Sequence, residues 1–171
     1  MISGELTPID GRLLDGAQRA VVRYGAAGAT LERIATEAGV SRMTLHRHGV
    51  SRADLFTALA QRLEDEYQRA LWPALVGAGS ARDRLRVALE AECGVAEANL
   101  ELLEALTGDA RSGVFHEEGA PALTREVYVE PLQRLLADGV ADGTLRVEDV
   151  EETATVLFNQ VGHTYRHLRK G

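Results

Sequence analysis

Two short helical segments separated by only three residues lie within residues 29–56, and this spacing constrains the fold more than any other feature. The segment LERIATEA follows Thr30, a good N-cap, and ends at Gly39, where glycine adopts a left-handed backbone at little cost. Ser41 then caps a second segment, RMTLHRH, which ends at Gly49. Two short helices joined by a turn that contains glycine are typical of a helix-turn-helix motif.

The second of these helices carries the polar residues that such a motif presents to DNA. A guanidinium can bind guanine O6 and N7 in a bidentate manner, so Arg42 and Arg47 are candidates for base contacts, and His46 can donate to a phosphate. Either Met43 or Leu45 must face the protein interior. A solvated polar helix end is the alternative interpretation of this pattern, and the spacing alone does not decide between the two.

The charge distribution restricts DNA binding to the N-terminal part of the chain. The net charge of the 171 residues is −7, but residues 1–56 carry a net charge of +1 and residues 57–171 carry −8. Only the first segment can therefore approach phosphate, and such asymmetry is a hint of a nucleic-acid-binding region attached to a domain with another role. Aromatic residues make up only 5% of a composition rich in Ala and Leu, which favours an all-α fold.

A helix is also predicted before the motif. Asp10 is expected to cap a helix that runs to about Tyr24, and Gly25 and Gly28 are expected to end it.

Helical periodicity continues beyond the motif. Ser51 is predicted to cap a helix that ends or kinks at Pro73, with Asp54 as the acid of a capping box. The remaining predicted segments are a helix at 81–106, a loop at 107–121, a helix from 122 with a kink at Pro131 and an end at Gly139 or Gly143, and a last helix at 147–170.

The motif residues resemble the DNA-binding domain of TetR-family transcriptional regulators. The matching positions are Thr30, Ile34, Ala35, Ala38 to Ser41, Thr44, Leu45, Ser51, Arg52, Leu55 and Phe56. They fall in the register T-x3-I-A-x2-A-G-V-S-x2-T-L, followed by the family's Ser-Lys-type pair and Leu. Two positions depart from the family, since His46 stands where Tyr is usual and Gly49 where Phe is usual.

The resemblance implies a recognition helix at residues 42–48 and a DNA contact from Arg52, the basic residue that opens the fourth helix. The residues predicted to contact DNA are Thr30, Ser41, Arg42, Met43, Thr44, His46, Arg47, His48 and Arg52. It also implies two domains, a helix-turn-helix domain at 1–56 and a helical regulatory, ligand-binding and dimerisation domain at 57–171.

The implied function is that of a regulator, most simply a repressor, released from a palindromic double-stranded DNA operator by a small, mostly apolar effector. The last two helices are expected to form the homodimer interface. The residues predicted to line the effector site are Trp72, Leu89, Cys93, Leu100, Phe115 and Tyr128. An all-helical ligand carrier or enzyme, or a family relative that has lost DNA binding, are the alternatives.

Other classes of site find little support in the sequence. No run of 18 apolar residues and no targeting pattern is found, so a cytoplasmic protein without a membrane partner is expected. Cys93 is the single cysteine, which excludes an internal disulfide. His163 and His167 have no third metal ligand, and no catalytic set or cofactor site is predicted.

Overall fold

The computed structural model describes residues 9–47, 49–107 and 125–157, and the regular structure in these ranges is entirely helical. The helices are α1 (Gly11–Gly28), α2 (Leu31–Ala38), α3 (Arg42–Arg47), α4 (Arg52–Val76), α5 (Ala81–Ala98), α6 (Leu100–Thr107) and α7 (Arg125–Ala141). An eighth helix, α8, is described over residues 150–157. The predicted all-α fold, with an N-terminal helix-turn-helix followed by further helices, is confirmed. No helix among the described residues is long and apolar enough to cross a membrane.

The chain divides into two compact units. The first comprises Met1–Arg62 with Glu101–Pro121, and the second comprises Leu63–Leu100 with Ala122–Gly171. Helix α4 contributes to both units. The domain boundary predicted after residue 56 stays a prediction.

Helices α1 and α2 form the body of the first unit. The Asp10 carboxylate accepts a hydrogen bond from the Leu13 amide at 2.8 Å and so caps α1, as predicted. Gly25, with φ of 71°, interrupts the helical backbone near the predicted end of this helix. Gly16 is the point where α1 contacts α2 most closely, because a Cβ built on it would lie only 2.5 Å from the Cβ of Ala38. The two helices therefore pack at a distance that only glycine allows.

Helix α4 begins with the predicted capping box. The Ser51 amide donates to Asp54 Oδ2 at 2.8 Å, and the Asp54 amide donates to Ser51 Oγ at 3.1 Å. Of the two predicted outcomes at Pro73, an end or a kink, the structure excludes an end, since the helix continues to Val76 with Pro73 inside it. Proline removes only one amide donor, and the Arg84 guanidinium supplies donors to the carbonyl oxygens of Ala74 and Leu75 at the helix end.

The single helix predicted at 81–106 is also wrong, because Asn99 separates α5 from α6. Its backbone leaves the helical region at φ −119° and ψ 23°. Its side-chain amide donates to the Val95 carbonyl at 3.0 Å and to Glu66 Oε1 at 3.2 Å. A short amide side chain that bonds a nearby carbonyl competes with the helical ladder, and here a partner on α4 reinforces that competition.

The second unit has a core formed by α7, α8 and α5. Its buried residues are Val129, Leu132, Leu136 and Ala154, and partly buried Leu85, Leu145, Val147, Val150 and Leu157 pack against them. Helix α7 continues through Pro131 and Gly139 and ends at Ala141, before Gly143 with φ of 74°. Asp149 caps α8 by accepting from the Glu152 amide at 2.9 Å.

Candidate nucleic-acid interface

Two glycines terminate the helices of the motif in the same way. The Gly39 amide donates to the Thr36 carbonyl at 3.1 Å and the Val40 amide to the Ala35 carbonyl at 3.0 Å, with φ of Gly39 at 67°. This is the Schellman motif, in which a left-handed residue satisfies two carbonyls that the helix end leaves free. The direction in which the chain leaves α2 is thus set by backbone hydrogen bonds.

Gly49 repeats this arrangement at the end of α3. Its amide donates to the His46 carbonyl at 3.1 Å, the Val50 amide donates to the Leu45 carbonyl at 3.2 Å, and φ of Gly49 is 65°. A residue with a Cβ is strained at such a φ, which gives a physical reason for glycine where related proteins usually have phenylalanine. Both ends of the segment between the two glycines are therefore fixed by the backbone.

Helix α3 presents one side chain to the interior and several to solvent. Leu45 is 3% exposed, whereas Met43 is 78% exposed. Because Met43 and Arg47 are four residues apart, they share a helix face, and that face lies roughly opposite Leu45. Arg42 and His46 are also exposed and flank this face. The inward residue is Leu45, and Met43 points outward.

The predicted DNA-contacting residues fall into three groups. Arg42, Met43, His46 and Arg47 form an exposed surface on α3, which we call the recognition face. Within the described ranges, neither arginine of this face has an ion pair or hydrogen bond, so both guanidinium groups are available to phosphates or bases.

The hydroxyl residues of the predicted set cap helices. Thr30 Oγ1 accepts from the Arg33 amide at 3.3 Å, and Ser41 Oγ accepts from the Thr44 amide at 3.0 Å. The Ser41 and Thr44 hydroxyls are themselves hydrogen-bonded at 2.8 Å. Thr30 and Ser41 are exposed, so a second hydrogen bond to phosphate stays possible for each.

Two predicted DNA contacts stand apart from this surface. His48 lies outside the described residues. The Arg52 side chain is directed to the corner between α1 and α2, where its guanidinium donates to the carbonyl oxygens of Ala26 and Ala29. The assignment of residues to DNA contact stays a prediction, and for Arg52 the observed contacts point to a different role.

Charged and aromatic side chains of α1 and α2 form a cluster that the sequence analysis did not predict. The Glu37 carboxylate accepts from Arg23 Nη1 at 3.1 Å and from the Tyr24 hydroxyl at 3.4 Å. Arg19 donates to the Glu37 carbonyl at 2.5 Å, and the Arg33 guanidinium lies 4.5 Å from the centre of the Tyr24 ring. These contacts link α1 to α2 and neutralise the Glu37 carboxylate. The spacing of Arg19 and Arg23 on one face of α1 was the only local signal for this cluster.

The predicted effector-site residues differ in how much of their surface is exposed to solvent. Leu89, Cys93 and Leu100 are half-buried, as a site lining requires. Trp72 is 53% exposed, and its place in an effector site stays a prediction. A helix continued past Pro73 carries Trp72 on its outer side. Phe115 lies outside the described residues, and so does the side chain of Tyr128.

Glu92 is the most unusual titratable group of the second unit. It stands in a buried stripe of α5 between Ala88 and Ala96, where an apolar residue is expected. Burial raises the pKa of its carboxyl from 4.5 to about 7, and no compensating partner lies within the described part of the chain. No group of three or more His, Cys, Asp or Glu residues in the described ranges is arranged to bind a metal ion.

Comparison with known proteins identifies the N-terminal unit. The family model described as "Bacterial regulatory proteins, tetR family" matches residues 13–59, which include α1 to α3 and the start of α4. Residues 13–59 are therefore similar to the N-terminal domain of tetR-family regulatory proteins. This range includes the capping residues Thr30 and Ser41, the glycines Gly39 and Gly49, and the recognition face.

One relative of this chain is described as the HTH-type transcriptional activator FasR of Mycolicibacterium smegmatis. It is 37% identical over 81 residues, which are 47% of this chain and 37% of FasR. The matched region thus spans little more than a third of that relative. The relative is described as a regulator of transcription and not as an enzyme.

Two solved structures of regulators have the same fold. FadR of Bacillus subtilis, in complex with stearoyl-CoA, has a TM-score of 0.73 at 16% identity, covering 90% of this chain and 83% of FadR. AibR, in complex with isovaleryl coenzyme A and operator DNA, has a TM-score of 0.71 at 18% identity, covering 90% of this chain and 84% of AibR. At such identities these likenesses show the fold alone.

Proposed function

We propose that this chain is a transcriptional repressor of the TetR family that binds a palindromic operator as a homodimer. The observation that carries the proposal is the recognition face, where Met43 and Arg47 project from a helix that Ser41 caps at its start and the Schellman motif at Gly49 fixes at its end. A helix held in this way can enter the major groove without a further ordering cost at each contact. We further propose that a small, mostly apolar effector releases the protein from DNA.

Within the recognition face, each side chain has a distinct chemical role. Arg47 suits bidentate bonding to guanine O6 and N7, and the exposed Met43 thioether chain suits a thymine methyl group. Arg42 and His46, at the flanks, suit phosphates. Direct base contacts from Met43 and Arg47 set sequence preference, whereas the flanking contacts contribute affinity that is independent of sequence.

A homodimer is favoured because one recognition helix can contact only a few bases. The last two helices are the proposed interface. Each good base contact contributes about 1–3 kcal/mol of discrimination against a wrong base, so two copies of the recognition helix double the free energy of discrimination. Val140 on α7 and Val156 on α8 are 45% and 47% exposed, which supports an apolar surface on these helices. A two-fold dimer would place its recognition helices about 34–36 Å apart.

The nature of the effector is proposed from chemistry and from the structural relatives. The half-buried Leu89, Cys93 and Leu100 favour an apolar chain in the second unit. Structural relatives bind stearoyl-CoA and isovaleryl coenzyme A, so acyl thioesters of coenzyme A are the first effector class to test. The FasR relative is described as an activator, which makes the direction of regulation a second point to test.

Selection of bound DNA from a pool of random duplexes tests the DNA-binding proposal. At moderate salt, the purified protein should retain an inverted repeat whose half-sites are centred one helical turn apart, or about 10–10.5 base pairs. Arg47→Ala should lower affinity for this site by about 1–3 kcal/mol per half-site and relax preference at one position in each half-site. Arg69→Ala, which removes an exposed arginine of α4 away from the recognition face, is the matched control and should bind normally.

Binding without sequence preference, or no binding at all, would overturn the proposal and favour a carrier, an enzyme or a relative that has lost DNA binding. With an operator in hand, stearoyl-CoA and isovaleryl-CoA are added to the complex, and release by either supports the effector class. A reporter gene placed behind the operator should be expressed less when the protein is present. Increased expression would reverse the assignment as a repressor.

A further inference from the structure

Arg52 makes an unusually complete set of contacts with its own protein. Its Nε donates to the Ala29 carbonyl at 3.1 Å and its Nη2 to the Ala26 carbonyl at 2.6 Å. Its Cζ lies 4.2 Å from the centre of the Phe56 ring, which is itself 1% exposed. The planar guanidinium is thus engaged at two edges and on one face.

The carbonyls that Arg52 binds lie where the helical ladder of α1 ends. Gly25 interrupts α1, and in the segment that follows the Ala26 carbonyl accepts a long backbone hydrogen bond, from the Ala29 amide at 3.3 Å. Arg52 supplies donors to the Ala26 and Ala29 carbonyls, and Arg33 supplies one to the Gly28 carbonyl at 2.8 Å. Since Ala26 and Ala29 are buried, loss of these donors would leave polar groups with little access to water.

The position of α3 depends on the residues that follow it as much as on those before it. This helix has six residues and a single buried side chain, which is too little to define its orientation by packing alone. Its C-terminal end continues through Gly49 into the first residue of α4, which is Arg52. Whatever holds Arg52 against the corner between α1 and α2 also holds the C-terminal end of α3.

We infer that Arg52 is a positioning residue of the recognition helix, which anchors the start of α4 to the α1–α2 corner, and not a phosphate contact. This inference rests on the proposed DNA-binding function and changes the role that the family resemblance implies for Arg52. A lysine could keep a positive charge for phosphate at this site. It could not bond two carbonyls with a rigid fork while covering the Phe56 ring, so the conservative substitution discriminates between the two roles.

Operator binding by Arg52→Lys and Arg52→Ala is the decisive measurement, carried out over a series of salt concentrations with both operator and random duplex DNA. We expect both variants to lose affinity for the operator roughly tenfold, the scale of one lost charged hydrogen bond. We expect their affinity for random DNA and the slope of log K against log salt to stay as in the wild type. Arg62→Lys is the matched control, because Arg62 is another α4 arginine in a side-chain ion pair, with Asp15, and should bind both DNAs normally.

A phosphate contact predicts the opposite pattern. Arg52→Ala would then weaken binding to both DNAs by the same factor and reduce the salt slope by about 0.9 for each protomer of the bound dimer, while Arg52→Lys would restore both. That result would overturn the inference.

Amide hydrogen exchange in the absence of DNA separates failure of this inference from failure of the proposed function. In Arg52→Lys, the amides of Leu45 and Val50 should exchange faster than in the wild type, while those of α7 should be unchanged. Unchanged exchange at Leu45 and Val50 would refute the positioning role even if the protein binds an operator. If the wild-type chain binds no DNA, the proposed function fails, and the exchange result still decides whether Arg52 holds this helix in place.

Discussion

Replacement of Gly16 by alanine tests how closely α1 and α2 must approach each other. A Cβ at this position would lie 2.5 Å from the Cβ of Ala38 and 2.7 Å from its Cα and amide nitrogen. Carbon atoms pack at about 3.5–4.0 Å, so the helices would have to separate by about 1 Å. Two of the three atoms that clash belong to the backbone, and no side-chain rotation relieves them.

The expected cost of Gly16→Ala follows from two opposing terms. Alanine in a helix interior is favoured over glycine by about 0.8–1.0 kcal/mol, whereas an extra methyl group forced into a packed interior costs about 1–3 kcal/mol. Gly94→Ala is the matched control, because Gly94 is also inside a helix but a Cβ there meets no atom within 4 Å. We expect Gly94→Ala to stabilise the chain and Gly16→Ala to have a free energy of unfolding lower than that control by about 1–3 kcal/mol.

The free energy of unfolding of both variants is measured by urea denaturation, monitored by far-ultraviolet circular dichroism. The two values are compared only if the m-values are equal. Because α2 leads into α3 through only three residues, Gly16→Ala should also weaken operator binding, whereas Gly94→Ala should not. An increase in stability for Gly16→Ala equal to that of Gly94→Ala would refute the close approach of α1 and α2.

Three further predictions concern single side chains. The raised pKa of Glu92 means that the folded state binds its proton more tightly than the unfolded state. The contribution of Glu92 to stability should therefore be highest below pH 4.5, fall by up to about 3 kcal/mol as the pH rises to about 7, and then level off, and Glu92→Gln should remove this component of the pH profile in denaturation experiments. Ser51→Ala should cost about 1 kcal/mol through loss of the α4 cap. The Ser51 hydroxyl and amide also lower the pKa of Asp54, so NMR titration should show that pKa rising in the variant. Gly49→Phe, which restores the residue usual in related proteins, should lower the urea midpoint because φ of 65° costs a substituted residue about 1–2 kcal/mol, and a midpoint above that of Gly49→Ala would contradict this.

The features that sequence predicted correctly are those whose physical cause is local. Asp10, Thr30 and Ser51 cap helices through hydrogen bonds to amides three residues away, so each signal and its structural result lie in one short segment. Gly39 ends α2 for an equally local reason, since its left-handed conformation depends only on the absence of a Cβ. The sequence left open whether Met43 or Leu45 faces the interior, and the structure decides this in favour of Leu45.

The features that sequence reasoning missed depend on partners far along the chain. The break at Asn99 is reinforced by Glu66, which is 33 residues away. The continuation of α4 past Pro73 is supported by Arg84, whose side chain also pairs with Asp138 at 3.1 Å. Such partners become neighbours only in the folded chain, so no pattern in a short window can reveal them.

The two departures from the family pattern are less disruptive than their chemistry suggests, because of how α3 is held. A phenylalanine at position 49 would contribute packing area, but the backbone there is left-handed and the space around it is open. The chain instead fixes the end of the helix with the two hydrogen bonds of the Schellman motif and with Leu45, which contacts the interior. His46 is exposed on the recognition face, so replacing the usual tyrosine there changes what the helix can contact and not how it folds. The departure at Gly49 therefore bears on stability and the departure at His46 on DNA recognition, and the two effects are separable by measurement.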